Sequence, residues 1–260
     1  MVSAVALAAA ACGVGEAAQP DPVQWSVVEK LLHRPAGSYT KTITIESGSE
    51  RHLLMREWVA YNLRRNFIDR RIGLGDDPTT PAVEKPARRA APSLRFVYGP
   101  KRVLMWNANV RKKCGTPWVE MPARLIAEVT GFRLRDLSVV EPDAILRRPR
   151  GEPRVVSNDD RATVYEVPVI GTAGFSAASI LRGRPELLPA LERETSSAHV
   201  RIARDGGPIE IMVDPTSALE SALGRSLGDE RMTVRWRLQR ASPRVDTRLP
   251  KKVAGASCLS

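Results

Sequence analysis

Apolar and polar positions alternate with a period of two along much of the chain, most clearly over residues 93–121, SLRFVYGPKRVLMWNANVRKKCGTPWVEM. Leu94, Phe96 and Tyr98 alternate there with Arg95 and Val97, and Leu104, Trp106, Ala108 and Val110 alternate with Met105, Asn107 and Asn109. Successive side chains of an extended chain point to opposite faces, so the pattern predicts sheet with one apolar face. Gly99-Pro100-Lys101 and Gly115-Thr116-Pro117 supply reversals, which gives strand, turn, strand, turn, strand.

The same reading extends over the rest of the chain. Asp21-Pro22 has the chemistry of a helix start, an acid at the N-cap and proline at the first helical position. Trp25, Val28 and Leu32 give that helix one apolar face, and Pro35-Ala36-Gly37 ends it. In residues 38–46, Tyr39, Lys41, Ile43 and Ile45 alternate with Thr40, Thr42 and Thr44, as suits a half-buried strand. Residues 52–72 are long enough for one long bent strand or two shorter ones. Residues 73–92 carry Pro78, Pro81, Pro86 and Pro92 and read as a surface loop.

Short helices are predicted over residues 122–132 and 142–146, and two more over 176–194. Residues 155–170 form a strand or a pair. Residues 198–204 and 208–213 flank Asp205-Gly206-Gly207, the strongest hairpin signal in the chain. Asp214-Pro215 repeats the helix-start chemistry, with Leu219, Leu223 and Leu227 on one face and Gly228 as the stop. A strand around Val234, Trp236 and Leu238 and an extended piece over 245–249 close the chain.

Composition narrows the class. A chain of 260 residues, 43% hydrophobic and 27% charged, can bury a core and folds. The net charge of +11 invites a nucleic-acid reading. Its Arg and Lys pairs, from Arg64-Arg65 to Lys251-Lys252, are scattered, with no recognition-helix, zinc-finger or aromatic ribonucleoprotein pattern beside them. No nucleic acid is therefore expected as a partner; a basic surface facing anionic lipid or cell-wall polymer accounts for the same charge.

The three cysteines form no C-x-x-C pair. Cys12 closes the apolar run Val5-Ala6-Leu7-Ala8-Ala9-Ala10-Ala11 and precedes Gly13, as in an export signal that ends at a cysteine to be lipid-modified. Residues 1–12 then form the signal, 13–20 a tether and 21–260 a single domain. With Cys12 acylated, Cys114 and Cys258 remain, in a compartment where disulfides persist. They are expected to bond, the alternative being two unpaired thiols.

Catalytic chemistry is not legible. The chain has no G-x-S-x-G elbow, phosphate-binding loop or H-E-x-x-H helix. His33, His52 and His199 lie far apart without matched ligand spacing, and Asp76-Asp77 and Asp159-Asp160 read as turns. No catalytic residue, metal or cofactor is expected, and the chain is not expected to be an enzyme.

The element order, together with Ala11-Cys12-Gly13, Tyr98-Gly99-Pro100, Thr116-Pro117-Trp118-Val119, residues 162–169 and the Asp205-Gly206 hairpin leading into Asp214-Pro215, resembles the actinobacterial lipoproteins of the LppX/LprG type and, more broadly, the LolA-like fold. The resemblance implies an α+β fold, a strongly curved antiparallel half-barrel with helices over its concave face and an apolar cavity between them. It implies a non-catalytic protein that binds or carries a lipid or lipidated ligand, anchored outside the cell membrane. An envelope-stress sensor docking a protein partner, or a structural lipoprotein with a filled core, are the alternatives. The cavity is expected to be lined by alternating residues of the central strands, with Trp106, Trp58 or Tyr61, and the small Ala108 among them.

Replacing the anchor residue checks the export reading. Cys12→Ala should move the protein from the membrane fraction to the soluble one, and equal membrane retention of variant and parent would overturn the assignment.

Overall fold

The computed structural model describes residues 21–74, 94–99, 102–122, 141–147, 149–174, 185–240 and 245–259. Cys12, most of the loop at 73–92, and the helix predicted over 122–132 lie outside the described residues. Within them the fold is mixed α+β, dominated by one sheet of twelve strands in the order β12-β6-β5-β4-β3-β2-β1-β11-β10-β9-β8-β7. The order is linear, so the sheet does not close.

Two meanders build it. The first is β1 (Ala36–Ser47), β2 (Glu50–Asn62), β3 (Phe67–Leu74), β4 (Leu94–Tyr98), β5 (Val103–Trp106) and β6 (Trp118–Met121). The second is β7 (Arg154–Asn158), β8 (Ala162–Ile170), β9 (Thr195–Ala203), β10 (Ile209–Val213) and β11 (Glu230–Leu238). They join where β1 pairs with β11, from Tyr39 opposite Leu238 to Ser47 opposite Glu230. Short β12 (Ala254–Gly255) runs parallel to β6 at the sheet edge.

Burial follows the pleat. In β1 Tyr39, Lys41 and Ile43 are buried while Thr40 and Thr42 are half-exposed, and Val200, Ile211, Val234 and Trp236 carry the same face through the second meander. Helices cover that face: α1 (Ser26–Leu32), α3 (Glu141–Leu146), α4 (Leu188–Arg193) and α5 (Thr216–Leu223). They contribute Val28, Leu31, Leu32, Ile145, Leu146, Leu191 and Ala218 to a core cluster shared with the strands. The one-turn α2 (Arg111–Cys114) lies apart, before β6.

Several boundaries differ from expectation, each for a tertiary reason. Helix α1 begins at Ser26 and not at Pro22, because the backbone of Val23 is tied to β8: its N–H donates to Thr163 Oγ1 (2.9 Å) and its carbonyl accepts from Tyr165 Oη (2.8 Å). Residues 52–72 divide into two strands at a turn in which Asn66 takes the left-handed conformation (φ 47°). Helix α5 stops at Gly224 (φ 64°), four residues before the expected Gly228. The strand expected to run through Val110 ends at Trp106. Asn107 turns it, its side chain accepting from the Asn109 N–H (2.9 Å) and its own N–H donating to the Pro117 carbonyl (3.0 Å).

The end of the chain covers part of the other face. Phe67, Val97 and Leu104 form a second small core packed against Val245, Leu249 and Val253. Thr116 Oγ1 donates to the Lys252 carbonyl (3.1 Å), β12 pairs with β6, and Cys258 is bonded to Cys114 with Cα atoms 5.3 Å apart. That separation lies within the range a disulfide spans without backbone movement. The bond spans 144 residues, so the chain-entropy estimate of its contribution is about 5 kcal/mol as an upper figure. Cys258→Ser should lower the unfolding midpoint in denaturant and make residues 245–259 the first protease cleavage region. Titration of the unreduced parent that finds Cys114 and Cys258 both reactive would overturn this.

Candidate functional site

Four charged side chains lie on the buried, helix-covered face, at the seam between the meanders. Lys41 on β1 stands opposite Glu57 on β2 and Trp236 on β11. Arg70 on β3 stands opposite Val59 and Phe96, diagonal to Glu57. Each occupies an in-phase position of its strand, between apolar neighbours on the same face: Tyr39 and Ile43, Met55 and Val59, Ile68 and Ile72. The pleat therefore forces all three inward, and their side chains are 0–2% exposed.

The fourth comes from the helix layer. Glu141, the first residue of α3, sends its carboxylate down between them. Its Oε2 accepts from Lys41 Nζ at 2.8 Å and from Trp236 Nε1 at 3.3 Å, and its Oε1 lies 3.8 Å from Arg70 Nη1. Arg70 Nε is 3.0 Å from Glu57 Oε1. The Lys41 ammonium also sits 5.5 Å from the centroid of the Trp236 ring. Tyr39 and Tyr98 border the group, and the buried Tyr98 hydroxyl has no hydrogen-bond partner among the described residues.

Burial and pairing pull these groups in different directions. Desolvation alone would raise the Glu141 carboxyl, yet the Lys41 and Arg70 charges and the hydrogen bonds from Lys41 and Trp236 bring it below the ordinary value. Glu57 goes the other way: burial raises it, only partly opposed by Arg70. Burial is the largest single effect on Arg70 and disfavours its cation, but the groups around it, Glu57 first and Glu141 among them, together outweigh burial, and Arg70 stays charged. Both tyrosines are raised, chiefly by burial, and remain neutral. What results is an anion-binding position whose donors come from the sheet and whose anion comes from a helix.

Of the residues expected to line a cavity, Tyr61 alone faces the covered side, buried against α1. Trp58 is three residues away on the same strand and so points to the opposite face, across from Thr40 and Arg71. Trp106 stands between Arg95 and Trp118 in phase with Leu104, which belongs to the second core under the chain terminus. Ala108 is exposed in a 3-10 turn, so a larger side chain there fills no interior space. A gap of about 10 Å3 lies between α1 and the start of β1, beside Tyr61 and Gly37; it holds about one water, not an acyl chain.

Sequence reasoning does not find the charged group, although a signal for it exists: a Lys, a Glu and an Arg each interrupt the apolar phase of an alternating segment. Among the described residues no group of three or more His, Cys, Asp or Glu could hold a metal ion. None of the described helices is long and apolar enough to cross a membrane. Asp159 is a turn residue, its Oδ1 accepting from the Arg161 and Ala162 N–H groups at 2.7 and 2.8 Å.

No protein-family model and no curated protein matches the chain. Among solved structures the chain is similar to a LolA-superfamily protein from Nitrosomonas europaea, at 12% identity and a TM-score of 0.26, over 84% of this chain and 94% of that one. Strand order and burial define the fold.

Removing one member of a buried ion group leaves the others uncompensated, at a cost of about 3 kcal/mol or more. Glu141→Ala should destabilise the protein by about that amount at neutral pH. Because the folded-state value of Glu141 lies below the ordinary 4.5, its contribution is complete above that value and is lost as pH falls through the lower one. Glu57, raised, contributes in the opposite sense, its share being lost as pH rises. The stability difference between parent and Glu141→Ala should therefore shrink on acidification below pH ~4.5. Denaturant melts at a series of pH values check this, and a difference that stays constant to about pH 3 would contradict it.

Proposed function

We propose that this chain is an exported, lipid-anchored, non-catalytic protein of LolA-like architecture that binds a lipid or lipidated ligand between its sheet and its helix layer. The observation that carries the reading is the way α3 sits on the sheet. It is a six-residue helix, held over the apolar face, among the described residues, by Ile145, Leu146 and the contacts of Glu141 with Lys41, Trp236 and Arg70. A segment this short has little helical stability of its own and stays in place through packing. Ligand uptake displaces α3 and takes over the apolar surface that Ile145 and Leu146 cover.

A protein of this kind needs no acid–base or nucleophilic side chain, since the work is the burial of acyl surface, worth about 0.8 kcal/mol per CH2. The anchor at Cys12 keeps it at the outer face of the cell membrane, and a membrane or envelope protein partner supplies or receives the ligand. A second reading has a specific observation in its favour: Ile145 and Leu146 are buried in the shared core, as in a structural lipoprotein whose interior is simply filled.

The two readings separate in a binding experiment. The purified full chain should take up a pyrene-labelled acyl probe saturably, at one per chain, and an organic extract of protein isolated from its own envelope should contain a lipid in similar proportion. A chain that takes up no probe and yields no lipid is the filled structural protein.

A further inference from the structure

We propose that the exposed cations at the β6 edge of the sheet form a docking surface for an anionic lipid bilayer, assembled from two distant segments by the Cys114–Cys258 bond. The inference does not rest on the reading of the interior as a ligand site.

Charge is segregated along the chain. Residues 85–119 and 247–260 contain no Asp or Glu, yet they hold twelve of the 40 Lys and Arg. Outside them 28 Lys and Arg are matched by 29 Asp and Glu, so the whole excess of +11 comes from these two stretches. Some of their cations find acids elsewhere in the fold: Arg95 pairs with Asp69, Arg102 with Glu120 and Arg248 with Asp246. Arg111, Lys112, Lys251 and Lys252 are exposed and make no ion pair among the described residues.

The fold brings the two stretches together. Cys114, which ends α2, is bonded to Cys258, and Thr116 Oγ1 donates to the Lys252 carbonyl at 3.1 Å. Lys113 Nζ donates to the Leu259 carbonyl at 3.1 Å, and Ala254 and Gly255 pair with Val119 and Glu120. Arg111 and Lys112 on one segment and Lys251 and Lys252 on the other therefore share one edge of the sheet. Like charges gathered in this way repel one another and add nothing to stability, and a covalent bond ties the segments that carry them. Elsewhere in the chain acids and bases are balanced, as suits a surface that meets only water.

The surroundings of the patch select the anion. Val110, Val253 and Leu259 adjoin these cations and are half-buried, so apolar surface lies beside the charge. A bilayer interface rewards both contacts, cations to lipid phosphate and apolar side chains to the acyl boundary, whereas a phosphate polymer engages only the first. A disulfide persists outside the reducing cytosol, where anionic head groups are at hand and nucleic acid is not.

The test uses the oxidised full chain carrying Cys12→Ala, so that no acyl anchor contributes. Its probes are vesicles of phosphatidylcholine, alone or mixed with phosphatidylglycerol at about two to one. Co-sedimentation should show at least tenfold stronger partition onto the anionic vesicles at about 0.1 M salt, falling toward the neutral level at about 0.5 M. Neutralising three cations together, Lys112→Gln, Lys251→Gln and Lys252→Gln, should weaken that partition at least tenfold, since each contributes about fivefold near an anionic surface. Lys30→Gln, Arg201→Gln and Arg225→Gln together remove the same charge from exposed positions elsewhere and should change it less than about twofold. Reducing the disulfide frees the second segment without altering the Lys and Arg, and should weaken partition at least threefold. Equal partition onto both vesicles, or equal loss in the two triple variants, overturns the docking surface. Unchanged partition after reduction overturns its assembly from two segments. Binding to polyphosphate or to a single-stranded oligonucleotide, with none to anionic vesicles, assigns the patch to a soluble polyanion and overturns the bilayer. The oxidised charge variants decide the matter even if the reduced protein unfolds. Uptake of the pyrene-labelled acyl probe is measured separately, so the ligand reading stands or falls on its own.

Discussion

Charges buried under a helix layer need partners of opposite sign, and among the described residues the centre of this protein brings Lys41 and Arg70 together with Glu57 and the slightly exposed Glu141. In a medium of low polarity an isolated ammonium or carboxylate costs several kcal/mol after relaxation, so Lys41 and Arg70 require carboxylates and find them in Glu57 and Glu141. Three of the four are set by the strand pleat. The fourth is brought by α3, which makes the position of that helix an electrostatic matter as much as a packing one. A core built for stability alone has an apolar alternative of similar volume, and such replacements are often neutral or favourable.

The location follows from topology. The two meanders meet at β1 and β11, and it is across this seam that Lys41 faces Trp236. The segment carrying α3 lies in the connection between the meanders, after β6 and before β7, so one chain passage both links the halves and covers their junction. The chain terminus does a different task at the far side of the first meander. There the packing of Val245, Leu249 and Val253 on Phe67, Val97 and Leu104 shields the opposite face of the sheet, while β12 pairs with β6 and the bonded Cys114 and Cys258 pack against the main core. Covered on both faces, strands β4 and β5 are apolar at nearly every position, in contrast to β1 with its threonine row.

That contrast explains which expectations agree with the structure. Where one face is covered and the other solvated, as in β1, β8 and β11, alternation locates the strand and its inward residues, and Tyr39, Val167 and Trp236 are buried as the pattern requires. The Asp205-Gly206-Gly207 turn between β9 and β10 is equally local, since Gly206 takes a positive φ of 82° that other residues avoid. Where both faces are covered, alternation does not say which phase faces the helices. On that ambiguous signal the pattern points Trp106 to the interior, whereas Met105 is the residue that faces the helix layer.

The sequence by itself determined the elements whose causes are local: a long alternating sheet, its turns, the short helices at 142–146 and after Asp214-Pro215, and the interruption of three apolar phases by Lys41, Glu57 and Arg70. Only the tertiary structure decided that these three meet, because their proximity depends on the register of β1, β2 and β3 and on their pairing partners, which no single segment specifies. It also decided that Glu141, 100 residues along the chain from Lys41, supplies the missing charge. Alternation encodes which way a side chain points; which other side chain it meets is set by long-range pairing, and there the chemistry of the site resides.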